Sequence, residues 1–78
     1  MIKAYILINA KGGTENDLFE KLSELPGLEE ISLVWGLFDI IIKITASSKD
    51  TLDKVVTEEI GKYGNISNKM TMIIRDDE

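Results

Sequence analysis

The sequence predicts an α+β fold, a four-stranded antiparallel sheet with two helices on one face. Three observations predict it. Apolar residues recur with a period of two in segments 2–9, 28–35, 37–45 and 66–75, which is the spacing of strands. Two intervening segments carry apolar residues at helical spacing, each preceded by a hydroxyl residue suited to capping. The resulting order, β-α-β-β-α-β, makes two right-handed crossovers joined by a hairpin. A chain of 78 residues suits one domain.

In the first strand Ile2, Ala4, Ile6 and Ile8 share one face, and Lys3, Tyr5, Leu7 and Asn9 the other. Lys11-Gly12-Gly13 is a turn signal. Thr14 is placed to cap a helix whose first turn holds Glu15 and Asp17, at the positive end of the helix dipole. Leu18, Phe19, Leu22 and Leu25 form its apolar stripe, and Pro26-Gly27 stops it. The second strand places Ile31, Leu33 and Trp35 on one face. Gly36 is the turn residue. The third strand sets Phe38, Ile40, Ile42 and Ile44 against Leu37, Asp39, Ile41, Lys43 and Thr45. So short a connection predicts an antiparallel hairpin.

Ser47 is placed to cap the second helix, with Asp50 three residues on; Leu52, Val55, Val56, Ile60 and Tyr63 form its stripe. The fourth strand alternates Ile66, Asn68, Met70, Met72 and Ile74 with Ser67, Lys69, Thr71, Ile73 and Arg75. Residues 76–78 read as an acidic tail beyond a domain of residues 1–75. Helices on one face leave the other face of the sheet needing cover. Tyr5, Leu7, Val34, Ile41 and Ile73 are the candidates for it, and two sheets packed face to face would hide them. A chain this short gains little from one core without disulfides or metal, so a homodimer is expected.

Composition excludes much chemistry. There is no Cys and no His, which removes disulfides, thiolate metal sites and the commonest general base. No cofactor or metal is expected. Nine basic against fourteen acidic residues give a net charge of −5, and the single Arg75 adjoins Asp76, Asp77 and Glu78. That balance argues against direct nucleic-acid binding, which needs cations on phosphates. No apolar run approaches the roughly 20 residues of a membrane span, and no signal peptide is evident, so a cytoplasmic location is expected. Gly12-Gly13 sits in no phosphate-binding motif and reads as a turn.

One constellation stands out. Trp35-Gly36-Leu37-Phe38-Asp39 sets a glycine turn, aromatics and a carboxylate at the mouth of the hairpin. Asp39 either bonds the hairpin backbone or holds a ligand cation. Trp35 and Phe38 are core or interface filler, or else the walls of a small pocket. Thr71 either offers a hydroxyl or is a plain strand residue.

These residues resemble a known family. Ala4-Tyr5-Ile6-Leu7-Ile8, Leu25-Pro26-Gly27-Leu28-Glu29-Glu30, Val34-Trp35-Gly36-Leu37-Phe38-Asp39, Leu52-Asp53-Lys54-Val55-Val56 and Thr71-Met72-Ile73-Ile74 occur in the order and spacing of the Lrp/AsnC (feast/famine) effector domain, also called the RAM domain. The G-x-[YF]-D hairpin motif is the most specific of them. The resemblance implies a ferredoxin-like fold that dimerises through its sheets into a dimeric α/β barrel, with dimers assembling further into rings. It implies an amino-acid effector bound by Trp35, Gly36, Leu37, Phe38, Asp39 and Thr71. It also implies a stand-alone effector domain that modulates a full-length Lrp/AsnC regulator, since the chain begins at the first strand. Lys69 departs from the family pattern, standing where a Thr is often found.

Two other readings compete. A ligand-free scaffold would use Asp39 for the hairpin alone. An enzyme of the dimeric α/β barrel type would work between helices and sheet, but the face there reads Ile6, Ile8, Leu22, Ile42 and Val56, with no acid–base pair. An amino-acid-binding domain of the ACT type shares the strand order and places its ligand near the first loop, here residues 10–14.

Overall fold

The computed structural model describes residues 1–75. The predicted elements occur in the predicted order: β1 (Ile2–Ala10), α1 (Glu15–Leu22), β2 (Leu28–Leu33), β3 (Ile40–Ala46), α2 (Lys49–Lys54) and β4 (Ile66–Ile73). The strands form one antiparallel sheet in the order β2-β3-β1-β4. The expected acidic tail lies outside the described residues.

Register explains the core. Residues directly opposite in an antiparallel ladder share a face. Ala4, Ile6 and Ile8 of β1 stand opposite Ile44, Ile42 and Ile40 of β3, and all six are fully buried. Leu18 and Leu22 of α1, Leu52 of α2 and Ile60 close over them. Each of the isoleucines and leucines among them contributes roughly 1.5–3 kcal/mol by leaving water.

Several local expectations are corrected. α1 ends at Leu22, a turn before Pro26. Proline disfavours helical geometry at Leu25, and the chain leaves the helix through bonds that span three residues: Glu24 N–H to Lys21 O at 3.4 Å and Leu25 N–H to Leu22 O at 3.2 Å. Thr14 holds the N-cap position but makes no side-chain cap; its hydroxyl donates to Lys11 O at 2.7 Å. Ser48 rather than Ser47 caps α2, accepting from Thr51 N–H at 3.2 Å. The second helix is not α throughout. Val55–Ile60 follows α2 as π-helical turns, in which Gly61 N–H reaches back to Val56 O at 3.1 Å. The Thr57 hydroxyl donates to Asp53 O at 2.8 Å and competes there with the backbone. The Lys69 ammonium bonds the same Val56 carbonyl at 3.2 Å, so Lys69 points toward the second helix.

Gly27 carries the connection from α1 into the sheet. Its φ is +78°, and a Cβ there would stand 2.2 Å from Thr45 O. Only glycine fits, and the approach allows Thr45 N–H to bond Gly27 O at 2.9 Å.

On the open face, Tyr5 and Leu7 stand opposite Lys43 and Ile41 on one side and Met72 and Met70 on the other. Tyr5, Leu7 and Ile41 are half-buried, whereas Met70 and Met72 are exposed. Ile73 is not on this face. It pairs with Ala4 and so lies on the helix side of edge strand β4. Val34 falls beyond the end of β2, in the connection to β3. At the opposite end of the open face Glu29 pairs with Lys3 at 3.8 Å and Lys43 at 3.9 Å, and accepts the Thr45 hydroxyl.

Candidate ligand groove at the hairpin loop

The tight hairpin turn expected at Gly36 is a longer loop. β2 stops at Leu33 and β3 begins at Ile40, leaving residues 34–39 to connect them. Val34 N–H donates to Asp39 O at 2.9 Å and closes its base. Gly36 has φ +141°, a conformation side-chain-bearing residues rarely adopt. Around it the apolar tip stands in solvent: Trp35 is 100% exposed and Leu37 90%. Trp35 is therefore not core. Phe38 is half-buried.

Three bonds tie this loop to the end of β1. Asp39 N–H donates to Ile8 O at 2.9 Å. The Asp39 carboxylate accepts Ala10 N–H at 2.9 Å through Oδ2. The Asn9 side-chain amide donates to Leu37 O at 2.8 Å. The Asp39 side chain thus bonds backbone, but the backbone of β1 rather than that of its own hairpin. An exposed apolar loop is held in place by polar groups at its base.

Between this loop and the start of α1 lies a groove of about 460 Å³. Leu33, Val34, Trp35 and Asp39 form one wall; Ala10, Gly12, Glu15 and Asn16 form the other. That volume lies within the range of small-molecule sites, roughly 300–1,000 Å³. Its charged groups are the carboxylates of Asp39 and Glu15. No Lys or Arg lines it. Among the described residues no group of three metal-ligating side chains occurs.

Of the site residues expected from sequence, Trp35 and Asp39 line this groove, with Gly36, Leu37 and Phe38 between them on the same loop. Thr71 does not join them. It stands opposite Ile6 on β4, across β1 from Asp39, and faces the helix side. Sequence reasoning passed over Gly12, Glu15 and Asn16 as a turn and a solvated helix start. Nothing local marks them, because only the fold brings the first loop against the hairpin loop. The two placements kept apart in the sequence, hairpin loop and first loop, are therefore opposite walls of one groove. A shallower recess of about 290 Å³ lies at the start of β4, beside Tyr63, Asn68 and Lys69.

Known proteins share this fold and sequence pattern. The family described as the Lrp/AsnC ligand binding domain matches residues 3–76. The chain belongs to that family. The Lrp/AsnC domain is 27% identical over 73 residues to an uncharacterised HTH-type transcriptional regulator of Pyrococcus furiosus, covering 90% of this chain and 49% of that protein. It spans about half the length of the curated relatives it matches. The crystal structure of FFRP-DM1 superposes with a TM-score of 0.91 at 35% identity, covering 96% of this chain and all of that one. E. coli AsnC superposes at 0.90 and 25% identity, covering 97% of this chain and 52% of the other. The ferredoxin-like α+β fold expected from sequence is the fold of these neighbours. The homologues are domains of transcriptional regulators, not enzymes. Among the described residues no helix is long and apolar enough to cross a membrane.

Proposed function

We propose that this Lrp/AsnC domain senses a small amino acid in the groove between the hairpin loop and α1, and relays its binding through an assembly of copies. The groove carries the reading: a family of ligand-binding domains matches the chain, and Asp39, the carboxylate of the family's most specific motif, lines a cavity of suitable size together with Trp35 from the same loop. Asp39 receives the effector's ammonium, since Oδ2 already accepts Ala10 N–H and an ionised carboxylate has acceptor capacity to spare. Trp35, with Leu37 and Phe38 beside it, shelters the apolar side chain. Thr71 stands across β1 from Asp39 on the helix side of the sheet and takes no part in this groove.

In this reading two open sheet faces pack through Tyr5, Leu7 and Ile41, with Met70 and Met72 in the place expected for Ile73. The exposed methionines on a face already half covered by aliphatic groups support that pairing. Dimers then join into rings through the hairpin loops, whose Trp35 and Leu37 are almost wholly exposed. The domain works in the cytoplasm and modulates a full-length Lrp/AsnC regulator without contacting DNA itself.

A thermal-shift screen against the common amino acids tests the effector role. A ligand at 100 times its Kd stabilises by about 2.7 kcal/mol, which in a domain this small raises Tm on the order of 10 °C. The expected result is a selective shift that disappears in Asp39→Asn, which keeps an acceptor for Ala10 N–H but loses the charge. A second reading, the ligand-free scaffold, draws on the bond from Ala10 N–H to Asp39, which gives that carboxylate a structural task already. A flat panel favours the scaffold, whereas a selective shift unchanged in Asp39→Asn keeps an effector and removes Asp39 from its site.

A further inference from the structure

The charge balance of the groove constrains its ligand. A neutral amino acid brings one ammonium and one carboxylate. The groove meets it with two carboxylates, Asp39 on the hairpin wall and Glu15 on the helix wall, and with no Lys or Arg. Asp39 is committed to Ala10 N–H through one oxygen and takes the α-ammonium through its remaining acceptor capacity. Glu15, which lines the groove from the first turn of α1, is then the remaining anion, met only by the partial charge of the helix end. A ligand with a second cation at the end of its side chain fills that place.

The remaining surfaces fit the rest of such a molecule. Leu33 and Val34 give apolar support to an aliphatic stem, and the exposed Trp35 ring offers a face to a cation. The ligand's carboxylate needs donors, and the α1 wall has them. Gly12 brings a backbone N–H and Asn16 a side-chain amide. The first turn of α1 has no side-chain cap from Thr14, whose hydroxyl donates to Lys11 O.

We infer that the groove selects an amino acid with a cationic side chain, a diamino or guanidino acid, and that Glu15 is the residue that makes the distinction. The inference rests on the effector reading above and sharpens it from amino acids in general to one charge class. Glu15 acts by opposite charge across the groove, and Asp39 anchors the part common to all amino acids.

Lysine and norleucine test it, because they differ at the side-chain terminus only by the ammonium. Binding of each to the full chain is measured by calorimetry and by thermal shift at fixed pH and low ionic strength, with arginine as a second cationic probe. The expected result is lysine bound at least tenfold more tightly than norleucine. The lysine-to-norleucine ratio falls below threefold in Glu15→Gln and is retained in Glu15→Asp. Glu15 is half-buried at the start of α1 and outside the hydrophobic core, so both variants are expected to fold, and their melts without ligand check this. Norleucine binding as tightly as lysine, or a ratio unaltered by Glu15→Gln, overturns the charge-class inference and leaves the effector reading standing. No response to any amino acid overturns the effector reading itself, and this inference with it.

Discussion

On the helix side of the sheet, Ala4, Ile6, Ile8, Ile40, Ile42 and Ile44 are fully buried; on the other side, Tyr5, Leu7 and Ile41 from the same two strands are half-buried. Both faces are largely apolar and both are built by the same alternation. The difference lies in what covers them. Two helices close one face within the chain, and among the described residues nothing closes the other. The open face is also mixed, with the Glu29, Lys3, Lys43 and Thr45 cluster at one end and Leu7, Ile41, Met70 and Met72 toward the other. One face holds the chain folded, while the other is the face on which the proposed dimer rests.

Substitutions can break this comparison, and their effects should fall in order. Ile42→Ala removes a buried side chain at the centre of the covered face. It is expected to cost about 2–5 kcal/mol and to lower Tm by roughly 10 °C or more in a thermal melt. A loss under about 1 kcal/mol would mean the helices do not seal that face. Gly27→Ala forces a Cβ onto Thr45 O and a side chain into positive φ, for about 2–4 kcal/mol by denaturant titration.

Asp39→Ala strips the acceptor from Ala10 N–H at the loop base. About 1–2 kcal/mol of stability should be lost, with faster hydrogen exchange at Ala10. Leu7→Glu sharpens the contrast between the faces. Leu7 is only half-buried in the chain, so the folded domain should lose about 1 kcal/mol or less, while sedimentation should report a monomer in place of the proposed dimer. An unchanged assembly mass would remove the open face from the interface. The smallest effect is expected for Glu29→Gln, where two long, partly exposed ion pairs predict a change of about 0–1 kcal/mol.

Much of the fold was legible. Strand alternation in β1 and β3 identified the buried isoleucines, and the stripe Leu18, Leu22 identified the covering face of α1. The second helix was legible as a helix but not as a change from α to π, because that depends on Thr57 bonding Asp53 O and on Lys69 arriving from β4. The hairpin motif marked Trp35 and Asp39 as site residues, but placed the turn too tightly and left Trp35 open as core. Helix capping illustrates the same limit: adjacent serines and a lone threonine all match the pattern, and hydroxyl geometry chooses among them.

Sequence by itself determined the element order, the family and which residues share a face within each strand, since a period of two or 3.6 is a local property of the backbone. Only the tertiary structure decided which face of β4 joins which face of β1. That strand is apolar on both sides, with Met70 and Met72 on one and Ile73 on the other, so its own alternation does not choose. A slip of one residue exchanges the two sets, and only pairing with Tyr5 and Leu7 settles it. The groove is tertiary for a similar reason. Glu15 and Asp39 are far apart along the chain, and they line one cavity because the end of β1 holds both loops.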